Sequence, residues 1–355
     1  MLETMSSLQM SLAALGALTV VAVLVYNHWT SRKNEPRQAD PQRETVSADI
    51  EPVLNTELGI PAAAGSDPAL DDGFANLPLP ERKTQIDALI DAIALIEVDQ
   101  AVSGDAALAA LPVTRRIGSK FFTVEGLSQE TGLWDGLAPS RRYTAFQAGV
   151  QLANRVGALN NIEFSEFVVK TQAFADAVGG TPSFSDMLEE VARARELDQF
   201  ASVHDAQLSF TLCTRSAAWS PGFIQQHASR LGFVPGVMPG RMVLPSSDQG
   251  MPPVLSLTFD THAALAEDPA LSAVRSFALS LDVPQTARED APFARLREAA
   301  SLLAQAMDGL VTDGEGQVLS EAALDQIGRD LQQLYEALDA RELSAGSPQA
   351  RRLFS

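Results

Sequence analysis

The sequence predicts an α+β protein with a single N-terminal transmembrane helix and a disordered linker. Antiparallel sheets follow, with helices on one face in split β-α-β order, in two related halves. Three observations predict this: a long uncharged stretch near the N-terminus, an acidic Pro-rich run after it, and from residue 81 onward short alternating runs interleaved with apolar spacings of three and four. The 355 residues allow two modest domains and an accessory segment.

The first element is the anchor, residues 1–33. No charge occurs between Glu3 and Arg32, and the stretch Leu8 to Tyr26 is dominated by Leu, Ala and Val. Its transmembrane positions include Leu8, Leu12, Leu15, Leu18, Val21, Leu24 and Tyr26. About 20 such residues in a helix cross the ~30 Å hydrocarbon core. A cleaved signal peptide carries its positive charge before the apolar run. Here Arg32, Lys33, Arg37 and Arg43 all follow it. By the positive-inside rule the N-terminus lies outside the cytoplasm and the bulk of the chain is cytoplasmic.

Residues 34–80 form the linker, with seven Pro, nine acidic and two basic residues and a single aromatic, Phe74. Such a segment buries too little apolar surface to offset its chain entropy, and reads as a disordered spacer.

Two folded stretches follow, 81–203 and 204–340, before a flexible tail, 341–355. In the second, Leu208–Cys213, Leu255–Asp260 and Phe277–Val283 alternate as strands, with a fourth around Phe233–Leu244. Ser220-Pro221 starts a helix that Gly232 stops. Phe293, Leu296, Ala300, Leu303, Met307 and Leu310 share one helical face. So do Leu324, Ile327, Leu331, Leu334 and Leu338, behind the N-cap Ser320.

The first stretch repeats this order more coarsely. A strand opens at Asp91, a short helix at Ser103, strands follow at Phe121–Val124 and Tyr143–Leu152, and a helix carries Phe164, Phe167 and Phe174 to Gly179-Gly180. Pairing DAIALIEV (91–98) with DAQLSFTL (205–212) gives an offset of 114, and FQAGVQL (146–152) with FALSLDV (277–283) gives 131. The second half therefore holds extra residues, about one strand's worth, in a diverged duplication.

Composition narrows function. A net charge of -19 argues against nucleic acid as a partner. The single Cys213 allows no intrachain disulfide and no multi-cysteine zinc cage. Neither Cys213 beside Arg215 nor the pair Asp260 and His262 makes a catalytic constellation, and no phosphate-cradling glycine loop occurs. The run Thr312–Gly316 reads as a turn between helices, and Trp134-Asp135-Gly136 as a turn with a core Trp. The expectation is a binding protein without cofactor, metal site or enzymatic activity.

The anchor followed by HWTSRK (28–33), the acidic Pro-rich linker, RLGFVPGVMPGRMVLP (230–245), PPVLSLTFD (252–260), FALSLDVP (277–284) and the helical ending 302–338 together resemble the cell-division protein ZipA family. The resemblance covers 1–33 by architecture and 205–340 by sequence. The stretch 81–203 looks like an additional upstream half. The resemblance implies a bitopic inner-membrane scaffold at the bacterial division site, whose C-terminal domain binds the C-terminal tail of the tubulin-like protein FtsZ and tethers its polymers to the membrane. An adaptor that keeps the fold but binds another division-ring protein is the alternative. The tail would lie on the outer sheet face, at positions matching Thr211, Met238, Thr258, Asp260, Ala278 and Ser280.

Strand alternation independently turns Ser209, Thr211, Cys213, Ser256, Thr258, Asp260, Ser276, Ala278, Ser280 and Asp282 outward. This set is small and polar where the family's groove is apolar. Two readings stay open: the face packs against the first half, or it binds the tail weakly, with avidity along a polymer.

Overall fold

The computed structural model of the protein describes residues 36–39, 85–248, 250–268 and 271–355. The expected transmembrane helix and all of the linker except 36–39 lie outside these residues. Among the described residues no helix is long and apolar enough to cross a membrane.

The described chain is α+β, built on two antiparallel sheets with helices packed against them. The first sheet and its helices run β1 (Asp91–Ser103), α1 (Gly104–Ala110), β2 (Arg116–Ile117), β3 (Lys120–Ser128), β4 (Trp134–Gly136), β5 (Arg142–Gln151), the hairpin β6 (Ala153–Asn154) and β7 (Gly157–Ala158), α2 (Asn161–Val178), β8 (Gly180–Ser183) and α3 (Met187–His204). The second runs β9 (Gln207–Thr214), α4 (Pro221–Arg230), β10 (Val234–Pro235), β11 (Arg241–Leu244), β12 (Leu255–Thr258), α5 (Thr261–Ala264), β13 (Ser276–Asp282), α6 (Pro292–Met307), β14 (Gly309–Thr312), α7 (Glu321–Asp339) and α8 (Pro348–Leu353).

Helix boundaries follow local chemistry. Asn160 and Glu163 close a capping box on α2, and Gly179 ends it in the left-handed region at φ 69°. Ser220 and Ser320 cap α4 and α7 through their hydroxyls, and Pro221 takes the first turn of α4.

The two sheets share a path: β2-β3-β5-β1-β8 in the first, β11-β12-β13-β9-β14 in the second, where β10 adds one strand outside β11. Their ladders correspond residue by residue. Asp91 faces Gln151 as Gln207 faces Asp282, and Val98 faces Gly180 as Thr214 faces Gly309. These pairings shift β1 onto β9 by 116 residues, not the 114 expected from sequence, while β5 matches β13 at 131. A two-residue slip keeps every side chain on its face, so alternation alone does not detect it.

Each sheet buries one face under helices. In the first half Ile96, Phe122, Phe146 and Val150 meet Phe164, Phe167 and Phe174 of α2. In the second Leu212, Leu257, Phe277 and Leu279 meet Ile224, Leu296, Leu303 and Met307. The buried tryptophan of this core is Trp219, whose Nε1 donates to the Met307 carbonyl at 2.8 Å. Trp134, expected in a turn and a core, is instead half-buried on β4, which pairs with β3.

Two further expectations change. The helix expected to run through Leu310 ends at Met307, because Asp308 adopts φ 55°, and Gly309–Thr312 becomes an edge strand on β9. The segment 341–355, expected as a flexible tail, packs back onto the first half. Leu343, Ala350, Leu353 and Phe354 are buried in the first half's core, and Arg352 pairs with the buried Asp91. The apolar residues of this short segment fill a place that α1–α3 leave uncovered.

Candidate functional site

Four of the six positions singled out for binding come together on the outer face of the second sheet. Thr258, Ala278, Thr211 and Thr312 stand side by side across β12, β13, β9 and β14. Ser256, Ser280 and Ser209 form the next row, with the Ser209 and Ser280 hydroxyls 3.4 Å apart.

The other two sit at strand ends, where alternation stops. Met238 is exposed in the turn between β10 and β11, its carbonyl accepting from Arg241 N at 3.1 Å. Val234 and Val237 are exposed beside it in sequence, so this turn gathers the apolar surface that the sheet face lacks. It packs on the start of α5: a Cβ at Gly240, φ 77°, would meet the Phe259 carbonyl at 2.7 Å. Asp260 is the N-cap of α5, accepting from His262 N at 2.8 Å. Its carboxylate is therefore committed to the backbone.

The face is open. Ser209, Thr258 and Ser276 are exposed, and Thr211, Cys213, Ser256, Ala278 and Ser280 are half-buried. The two halves meet beside it, through Arg155 of the β6–β7 hairpin, which pairs with Asp205 at 2.6 Å and Asp282 at 2.7 Å. With its amide turned to face Arg155, Gln207 also accepts from this guanidinium, at 2.9 Å. Hydrogen bonding to Asp205, then Asp282, raises the Arg155 pKa further above its ordinary value. Of the two readings open for this face, packing of the first half over it does not hold: small side chains there abut solvent.

A hollow of about 490 Å³ runs from Arg155 past Ser280, Ser256 and Thr258 to Arg241, with Pro252 and Pro253 as one wall. Arg241 Nη2 donates to Ser256 Oγ at 3.1 Å. Two guanidiniums therefore flank a floor of hydroxyls. Arg155 is already held by Asp205 and Asp282, so this surface takes an extended segment mainly through hydrogen bonds to its hydroxyls, with Arg241 the guanidinium placed to meet a carboxylate. Alternation pointed to the floor. The flanking arginines escaped it, since Arg155 arrives from a hairpin of the other half, and Arg241, although inside the fourth expected strand around 233–244, was assigned no face.

The corresponding face of the first half carries a ligand of its own making. Glu125 is 1% exposed and accepts from the backbone N–H groups of Gln85 and Ile86 and, at 2.9 Å, from Gln147 Nε2. Ile86 lies over Gly149, where a Cβ would sit 3.0 Å from its side chain.

Cys213 Sγ lies 3.8 Å from Thr312 Oγ1, while Arg215 Nε is turned to the Gly309 carbonyl. Among the described residues no group of three or more His, Cys, Asp or Glu is placed to hold a metal ion. A scan of protein-family models gives no match to this chain, and no curated protein matches it.

Proposed function

We propose that the chain is a membrane-anchored scaffold of the bacterial division ring, similar to the ZipA family, that tethers FtsZ polymers to the inner membrane by binding their C-terminal tails. We also infer that its halves descend from one duplicated split β-α-β unit, a reading supported by their shared strand order and matched ladders. Residues 8–26 serve as the anchor, and binding needs neither cofactor nor chemistry. The observation that carries the reading is the open outer face, where Thr211, Thr258, Ala278 and Ser280 line up on neighbouring strands. A polar floor contributes less per contact than an apolar one. Many copies along a filament compensate by avidity.

The test is fluorescence anisotropy of a labelled FtsZ tail peptide titrated with the full chain in nanodiscs. Saturable binding is expected, weakened about tenfold, or about 1.4 kcal/mol, by Ala278→Arg at the centre of the row. Absence of saturation with the unmodified chain would remove tail recognition. The hydroxyl-rich face favours a second reading, an adaptor of the same fold for another division-ring protein. That reading takes first place if the tail fails to bind while a different division-protein tail saturates and responds to Ala278→Arg.

A further inference from the structure

Residues 36–39 pair with the second half at a different edge from the candidate face. Trp219 pairs with Val274 through two hydrogen bonds, Trp219 N to Val274 O at 2.9 Å and Val274 N to Trp219 O at 2.8 Å. On its other side it makes a parallel bridge with Arg37. Arg37 N donates to Ala218 O at 2.7 Å, and Ser220 N donates to Arg37 O at 2.9 Å. The visiting strand thus satisfies two main-chain groups of residues that are 0% and 1% exposed.

The side chain of the visitor is also read. Arg37 Nη1 donates to the Met307 carbonyl at 3.1 Å, and Nη2 to Asp308 Oδ2 at 3.0 Å. Met307 is the last residue of α6, where the helix dipole favours a cation, and its carbonyl, which also accepts from Trp219 Nε1, takes Arg37 on its second lone pair. Ser216 Oγ donates to the same Asp308 oxygen at 2.9 Å, fixing its carboxylate towards the slot. Main-chain pairing supplies binding, and the carbonyl with its neighbouring carboxylate selects a guanidinium.

We propose that Ala218–Ser220, Met307 and Asp308 form a docking slot for the chain's own Pro36–Ala39, and that occupancy of this slot sets how far the folded body stands from the membrane. The reach consequence rests on the reading of residues 8–26 as an anchor; the slot does not. With the strand docked, nine residues separate Tyr26 from Pro36 and the span is at most about 35 Å. With it released, the chain from Tyr26 to Gln85 extends to at most about 200 Å. The scaffold therefore has a short and a long state, exchanged by breaking one two-bond strand pairing, one ion pair and the Arg37 hydrogen bond to the Met307 carbonyl.

Hydrogen exchange resolved at single amides, on the full chain in nanodiscs, tests the slot. The Ser220 amide is protected only while Arg37 O is present, whereas the Trp219 and Val274 amides protect each other and serve as internal controls. Arg37→Glu opposes Asp308 and should speed Ser220 exchange by about tenfold or more, with the controls unchanged. Asp308→Asn, which keeps a residue tolerant of the left-handed conformation, should act in the same direction. Ser220 exchange unmoved by both variants would overturn the slot.

Energy transfer from a donor on Glu336→Cys, in a Cys213→Ser background, to headgroup acceptors tests the reach. It should fall in Arg37→Glu. Unchanged transfer alongside faster Ser220 exchange would overturn the reach-setting role and count against the anchor reading, while leaving the slot in place.

Discussion

Asp91 opens β1, is 1% exposed, and receives Arg352 Nη1 at 2.9 Å and Nη2 at 2.5 Å. Asp87 N adds a third donor at 2.9 Å. Burial pushes the Asp91 carboxyl above its ordinary value more than Arg352 and Asp87 N–H pull it down. As pH rises from the acid side, the unfolded carboxylate ionises first, near 3.8, and the folded one only later. Stability contributed by Asp91 is therefore full below 3.8 and is lost as pH climbs through the raised folded value. Urea unfolding of the wild type and Asp91→Asn at pH 3.5 and 6.5 isolates this, since other groups cancel in the difference. The wild type should lose ground to the variant as pH rises; a gain would show that Arg352 outweighs burial.

At the scale of elements, α8 carries the clearest prediction. A flexible tail would tolerate any substitution, whereas Phe354 is 1% exposed in the first half's core. Phe354→Ala should cost about 3–5 kcal/mol in equilibrium unfolding. What could be read in advance had strong period and caps: α7 starts after Ser320, and its Leu324, Leu331 and Leu338 are buried as their spacing requires. What could not be read is short or set by distant neighbours. Gly309–Thr312 has no period of its own and becomes a strand because β9 offers it a free edge. Ser347-Pro348 carried a start signal for α8, but only two apolar residues, Leu353-Phe354, close its polar stretch, and the β6 strand it packs on lies more than 100 residues away. At the candidate site, alternation placed Thr211, Thr258, Ala278 and Ser280 and failed at Asp260, where the strand gives way to a cap, while Met238, placed by the family resemblance alone, lies in a turn.

For the whole molecule, the segment after α7 is the principal tie between the halves. Gln285 Nε2 of the second half donates to the Phe354 carbonyl at 2.6 Å, and Gln151 Nε2 of the first to the Arg352 carbonyl at 2.5 Å. Arg341 reaches Glu196 at 3.0 Å and lies over the Phe200 ring. Together with Arg155, these contacts should make the two halves unfold as one cooperative unit. Truncation after Leu343 should separate thermal unfolding into two transitions, the first half melting earlier; a single unshifted transition would refute the tie.

The same segment imposes an order on biogenesis. Emerging from the ribosome, the first half has all its strands and helices long before it has Leu353 and Phe354, about 150 residues downstream of α3. At ~5–20 residues per second, its unfilled apolar cleft waits roughly 10–30 s for the plug that closes it. The N-terminal half is therefore the last part to mature, and during that interval it is a natural client for chaperones.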